Sequence, residues 1–190
     1  AGAIIGVSDM DQSIQFYKHL ITSLEVVYDK TGIFSDLPST AATQKYRRVL
    51  LRKKMKAEGA FSKLLGDIQI ELLPAMDRVP KKLFENRFWG DCGYIHLCFD
   101  TLDMETLQAE LKTKGYPFTV DSGTSFGMDA AAGRFAYVED PDGTLIELVE
   151  THKVPVLKKL GWFLNIKKGG NQKPLKDWML KAMALNRVKN

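Results

Sequence analysis

The first 150 residues of this 190-residue chain repeat one pattern twice, and that duplication limits the folds open to it more than any other feature. Residues 3–7 form an apolar, strand-like run, and residues 9–20 place Ile14, Tyr17 and Leu20 at helical spacing. Residues 24–28, 46–52 and 67–73 read as three further strands, with 29–44 as a polar, small-residue loop. The second half gives the same order: strand 93–99, helix 103–114 stopped by Gly115, then strands 118–120, 134–139 and 144–150. Residues repeat as well as pattern, since Asp9-Met10-Asp11 matches Asp103-Met104-Glu105, and Ile70-Glu71-Leu72 matches Ile146-Glu147-Leu148. Two βαβββ modules, about residues 2–75 and 92–152, follow from this. Either Ser8 or Asp9 can cap the first helix. Glu139-Asp140-Pro141-Asp142-Gly143 reads as a tight hairpin, in which Pro presets one turn dihedral and Gly supplies a positive one.

The composition, 45% hydrophobic and 26% charged, suits one globular domain with an appendage. We expect the domain over residues 1–152 and a basic extension over 153–190. The net charge of +4 is uneven: the extension holds ten Lys or Arg against the single acid Asp177, leaving the body at −5. A mildly acidic body without a recognition motif points to a small-molecule substrate and away from nucleic acid. No run approaches the roughly 18 apolar residues of a membrane span, and no basic segment followed by an apolar run opens the chain. A membrane partner is not expected, and a cytoplasmic protein is. Cys92 and Cys98 lie too close on one strand approach for a structural disulfide, which also favours a reducing compartment. The chain starts at Ala1-Gly2, without Met, and enters a strand at once, so a longer protein with a preceding repeat domain is expected.

The run Gly6-Val7-Ser8-Asp9-Met10-Asp11-Gln12-Ser13-Ile14-Gln15-Phe16-Tyr17, the His96 strand, and Asp140-Pro141-Asp142-Gly143-Thr144-Leu145-Ile146-Glu147 together resemble the vicinal-oxygen-chelate superfamily of glyoxalases, bleomycin resistance proteins and extradiol dioxygenases. The resemblance covers about residues 2–150. It implies an α+β fold whose paired βαβββ modules form a half-open cup with a divalent metal on its floor, here followed by a C-terminal helical extension. In that family the first and last strand of each module supply the ligands, which fall by register on Gly2, Glu71, His96 and Glu147. Glycine has no side chain to coordinate, so His96, Glu71 and Glu147 remain as the implied metal ligands. One nitrogen and two carboxylate donors suit Zn, Fe, Mn, Ni or Co. The resemblance also implies that Glu71 or Glu147 can move a proton as the catalytic group.

Strand alternation supports the same three residues without the family name. Ile95, Leu97 and Phe99 face one way and Tyr94, His96 and Cys98 the other; Ile70 and Leu72 oppose Glu71, and Ile146 and Leu148 oppose Glu147. Tyr94, Cys98, Arg134 and Tyr137 are further candidates to line the cup. The bland reading is a satisfied strand histidine and two solvated or paired glutamates. Arg47, Arg48 and Arg52, with Lys53, Lys54 and Lys56 beyond, either attract an anionic substrate or form a solvated edge. The glycine- and alanine-rich stretch 121–133 is either a lid or an ordered connector. Phe84, Phe88 and Trp89 sit in the linker between modules, where packing is the ordinary explanation. In the extension, residues 174–186 place Leu175, Trp178, Met179, Ala182 and Leu185 on one helical face, fit for a membrane or partner, or for docking on its own domain, a preceding repeat or the mate of a homodimer.

The function expected from these readings is a metal-dependent glyoxalase-like lyase or isomerase, or a dioxygenase, acting on a small oxygen-bearing metabolite. Ring-cleaving relatives use two His and one Glu, so the lyase or isomerase is preferred. The rivals are a metal-free, resistance-type binding protein and the non-catalytic half of a longer tandem protein.

Overall fold

Side-chain alternation separates a buried face from an open one in strand after strand. The computed structural model describes residues 2–37, 44–56, 58–74, 76–123, 126–128, 131–166, 169 and 172–186. They form two compact units: Ala1–Lys54, Asp67–Leu97 and Glu139–Leu145 make the first, and Met55–Gly66, Cys98–Val138 and Ile146–Asn190 the second.

The first unit contains β1 (Gly2–Val7), α1 (Met10–Leu20), β2 (Glu25–Gly32), β3 (Tyr46–Lys53) and β4 (Ile68–Pro74). This is the expected βαβββ module, in the sheet order β1-β4-β3-β2. The pair β1 and β4 is parallel and the other pairs are antiparallel. Asp9 rather than Ser8 caps α1, its carboxylate accepting from the amides of Asp11 and Gln12 at 3.0 Å. Met10, Ser13, Phe16, Tyr17 and Leu20 recur at intervals of three and four on the buried face of the helix. They join Ile5, Val7, Val49, Leu51, Ile70 and Leu72 in a core, where each large apolar side chain stabilises by about 1.5–3 kcal/mol. The expected loop over 29–44 begins later, because β2 pairs with β3 as far as Gly32 after a bulge at Val26/Tyr28. The rest of that loop includes 38–43, outside the described residues.

The hairpin Glu139–Leu145 also belongs to the first unit. The Asp140 carboxylate folds the turn by accepting from the amides of Asp142 at 2.9 Å and Thr144 at 2.8 Å. Its other oxygen accepts the Tyr17 hydroxyl at 2.9 Å, and Asp142 accepts from the Ser8 amide at 2.7 Å. Gly143 takes the positive φ of +83° that the motif predicts. Tyr17 and Asp140 are both buried. Burial, reinforced by the Asp140 charge, pushes the Tyr17 phenol far above its usual range, and burial raises Asp140 as well.

The second unit repeats the arrangement. It holds β5 (Leu97–Asp100), α2 (Met104–Thr113), β6 (Val120–Asp121), β7 (Phe126–Met128), β8 (Ala131–Glu139), β9 (Leu145–Leu157), β10 (Trp162–Asn165) and α3 (Asp177–Met183). The sheet order is β10-β9-β8-β6, with β5 on β9 and β7 on β8. The path β5-β9-β8-β6 thus matches β1-β4-β3-β2, and the duplication seen in sequence is one of structure. Asp103 caps α2 and Gly115 follows it at φ +86°. The buried Glu150 carboxylate accepts the Met104 amide at 3.2 Å and lies 2.7 Å from His152 Nε2.

Several boundaries differ from those the sequence predicts. The strand expected over 93–99 starts only at Leu97, so Tyr94 and His96 precede it. The strand expected over 118–120 is the two-residue β6, and β7 forms within the expected connector 121–133, of which 124–125 and 129–130 lie outside the described residues. The final strand, expected to stop at 150, runs on through the 152/153 junction to Leu157 and pairs there with β10. In the extension, α3 and a 3-10 turn cover 177–186 rather than 174–186. This arm docks on its own unit: the Leu175 amide donates to the Ala60 carbonyl at 3.0 Å, the Gly59 amide to the Gln172 carbonyl at 3.1 Å, and Lys63 pairs with Asp177. Trp162 and Trp178 stack with centroids 5.5 Å apart. Among the described residues, no helix is long and apolar enough to cross a membrane.

Removing the Tyr17 hydroxyl or the Asp140 carboxylate strands buried polar partners. In urea unfolding, Tyr17→Phe is expected to lose about 1–2 kcal/mol and Asp140→Ala about 2–4 kcal/mol. The double variant should lose less than the sum of the two, because both changes break the same contact.

Candidate functional site

The open face of the first sheet can be reconstructed row by row from strand register, since directly paired residues point the same way. One row runs Gly2, Gln69, Arg52, Glu25, and the next runs Ile4, Glu71, Leu50, Tyr28. Arg48, two residues from Leu50, shares this face and reaches Glu71. Its Nε donates to Glu71 Oε1 at 2.7 Å and its Nη2 to Oε2 at 3.0 Å, a bidentate pair with both side chains mostly buried. Its remaining Nη1 donates to both oxygens of Asp36 at 2.9 and 2.8 Å, and the guanidinium lies 4.9 Å from the Phe34 ring centroid. Arg48 holds Asp36 below the usual carboxylate range through those hydrogen bonds. Arg47 faces the helix side instead, bonded to Asp29 at 2.8 and 3.0 Å with Asp11 of α1 at 3.7 Å. The basic run is therefore split between two faces by strand parity.

His96 also lies in the first unit, half-buried, with its ring centroid 6.2 Å from that of Trp89. Tyr94, expected beside it, is largely exposed.

In the second unit, Glu147 lies on the face opposite the buried Ile146, Leu148 and Glu150. Tyr137 donates its hydroxyl to Glu147 Oε1 at 3.2 Å, and the Cys98 thiol also hydrogen-bonds this carboxylate. Cys98 keeps solvent access, yet the protein around it is the main influence that, with Glu147, pushes the thiol up to about 12. Burial and then Glu147 push the Tyr137 phenol to about 12 as well. At neutral pH both stay protonated and serve as donors to Glu147, so Cys98 has no thiolate with which to act as a nucleophile. Arg134, expected to line the same face, does not. It is buried toward α2, donating to Gln108 at 2.9 Å and to Asp121 at 3.0 Å. Residues 134 and 137 are an odd number apart on β8, which puts them on opposite faces.

These donors fit a divalent metal poorly. Both oxygens of Glu71 are spent on a guanidinium, and a dication beside that fixed positive charge is repelled. Gly2 offers no ligand, and a Cβ built there meets Gln69 Cβ and its carbonyl oxygen at 3.3 Å. Among the described residues, no group of three or more His, Cys, Asp or Glu is placed to hold a metal ion. Sequence reasoning missed the Arg48 pairing. The signal available was parity: Arg48 and Leu50 share a face, and Leu50 pairs with Glu71. A pocket of about 400 Å³ opens elsewhere in this unit, among Phe84, Phe88, Trp89, Ile95 and Leu145, but none of the expected ligands lines it.

The sequence profile of the Glyoxalase/Bleomycin resistance protein/Dioxygenase superfamily matches residues 3–148. The chain belongs to that superfamily. Among solved structures it is similar to a glyoxalase-family protein from Enterococcus faecalis, with 19% identity over 78% of this chain and 94% of that one, at a TM-score of 0.52. A glyoxalase-family protein from Bacillus cereus is similar too, with 16% identity over 79% and 91% of the two chains and a TM-score of 0.57. At such identities they show the superfamily's fold and nothing finer. No curated protein matches the chain in sequence.

Beside the site, Asp100 on β5 is pushed up to about 6, by desolvation first and by Glu150 second. A carboxylate raised on folding contributes stability that is full below its unfolded pKa of about 4 and is lost as pH rises through its folded value. Asp100→Asn should therefore gain melting temperature relative to the parent as pH rises from 4 to about 6, with the gain levelling off above that. Thermal melts across this range test the sign, and a gain that shrinks with pH contradicts it.

Proposed function

We propose that this superfamily member is a metal-free small-molecule-binding domain, and that the observation carrying this reading is the bidentate Arg48–Glu71 pair. In superfamily members that use a metal, the last strand of a module supplies an anionic ligand; here that position, Glu71, is already neutralised by an internal cation. The open faces then offer hydrogen-bonding groups in place of coordination sites. In the second unit, Glu147, held by Tyr137 and Cys98, can accept a ligand hydroxyl or take up a proton. The bound class is a small oxygen-bearing metabolite.

The metal-dependent lyase, isomerase or dioxygenase reading requires Glu71 to exchange Arg48 for the ion. Breaking this bidentate, mostly buried ion pair leaves Arg48 with only the exposed Asp36 as its counter-charge, a cost that metal binding must first overcome. Free thiols at Cys92 and Cys98 suit a reducing, cytoplasmic setting.

Elemental analysis of protein purified without chelator, before and after incubation with Zn, Mn, Fe(II), Ni or Co, tests the proposal. The expected result is well below one metal per chain under every condition. Near-stoichiometric metal that disappears in His96→Ala would sink it. Arg48→Met, which releases Glu71, is the variant expected to gain metal affinity.

A further inference from the structure

The C-terminal arm is docked on its own unit and still leaves four large apolar side chains in solvent. Trp162 and Trp178 are 40% and 49% exposed, and Leu160 and Leu185 are 78% and 72% exposed. Two ties hold together the segments that carry them. The two Trp rings stack, and Asn186 accepts the Lys158 amide at 2.8 Å while donating to the Pro155 and Val156 carbonyls at 3.1 and 3.2 Å. Along 177–186, Trp178, Lys181 and Leu185 fall at i, i+3 and i+7 and are exposed, while Met179, Met183 and Asn186 on a different face are half-buried. A single surface leucine is ordinary, but two tryptophans and two leucines on segments tied together make a patch. Basic residues surround it in sequence: Lys158, Lys159, Lys173, Lys176 and Lys181 are exposed. The one acid of the arm, Asp177, is engaged by Lys63, against ten Lys or Arg over 153–190.

We infer that this face of the arm docks on the surface of an anionic lipid bilayer. Indole rings favour the headgroup boundary, where the ring body meets apolar chains and the N–H still finds an acceptor. Lysine stems lie along apolar surface while their ammonium groups reach the phosphates, and each lysine near an anionic surface adds attraction. Charge decides against the other occupants. A second copy that set the same face against this one would oppose lysines with lysines. A single-stranded nucleic acid suits the lysines, but its bases need open aromatic faces. Trp162 and Trp178 each cover one face of the other, and a nucleic acid leaves the two leucines without an apolar partner. The sequence argument against a membrane partner rests on the lack of a spanning segment, and surface docking needs none. This contact is separate from the binding function proposed above.

Co-sedimentation of the full chain with vesicles tests the inference. Vesicles of phosphatidylcholine with about 30% phosphatidylserine are expected to bind the protein at about 0.1 M salt and to release it at about 0.5 M. Vesicles of phosphatidylcholine alone should bind at least about tenfold more weakly. Leu160→Asn with Leu185→Asn changes two strongly exposed side chains, so the fold is kept, and should weaken binding at least about fivefold. Lys159→Gln, Lys176→Gln and Lys181→Gln together should weaken it at least about tenfold. Lys112→Gln with Lys114→Gln, at exposed positions ending α2 of the same unit, should change it less than about twofold. The inference fails if the anionic vesicles bind nothing, if neutral vesicles bind equally well, or if the arm variants are no worse than the α2 pair. Tighter binding of a poly-uridine oligonucleotide, or self-association that the double leucine variant abolishes, overturns it as well.

Discussion

The buried hydrogen bond between Tyr17 and Asp140 joins residues 123 positions apart and fixes two elements at once. On one side it orients α1, whose neighbouring Phe16 and Leu20 pack the first core. On the other it organises the turn, because the same carboxylate also collects the amides of Asp142 and Thr144. Neither role survives alone. A phenol without its acceptor is a buried polar orphan, and a carboxylate without the phenol is a buried charge short of one donor. The second Asp of the motif adds the Ser8 amide, so the turn reads the chain just before α1 as well as the helix itself. That explains why a hairpin joining two strands of the second sheet is counted with the first unit.

The duplicated architecture was legible because it rests on local signals that occur twice: an Asp cap, an amphipathic helix, a Gly stop and alternating strands. The Asp9 cap, Gly115 and Gly143 all behave as their residue types require. Element ends were less legible. The length of β2 depends on pairing across a bulge, and β9 extends because β10 supplies it with a partner far along the chain. Neither partner can be read from the strand itself.

The candidate site divides in the same way. Residue types and module positions picked out Glu71, His96 and Glu147. What each one touches depends on cross-strand register, which the sequence does not display. Arg48 was visible as part of a basic run, but its commitment to Glu71 and Asp36 appears only when strand pairing is known. Arg134 shows the opposite case, a misplacement that parity along β8 alone could have prevented. An ion pair at a position where the resemblance implies a metal ligand also changes the electrostatic meaning of the motif: the counter-charge of this carboxylate is a side chain of the same chain.

The alternation along β9 carries an evolutionary corollary. Ile146, Leu148 and Glu150 point inward while Glu147 points outward, and all four take their orientation from a strand that starts immediately after the Asp140 turn. A one-residue slip of β9 against its partners would swap the two sets, driving Glu147 into the core and turning Ile146 and Leu148 out of it. A change in turn length that displaced Asp140 would also cost the Tyr17 hydroxyl its acceptor. Among the described loops, this short one holds the register of a strand and the partner of a buried phenol at the same time.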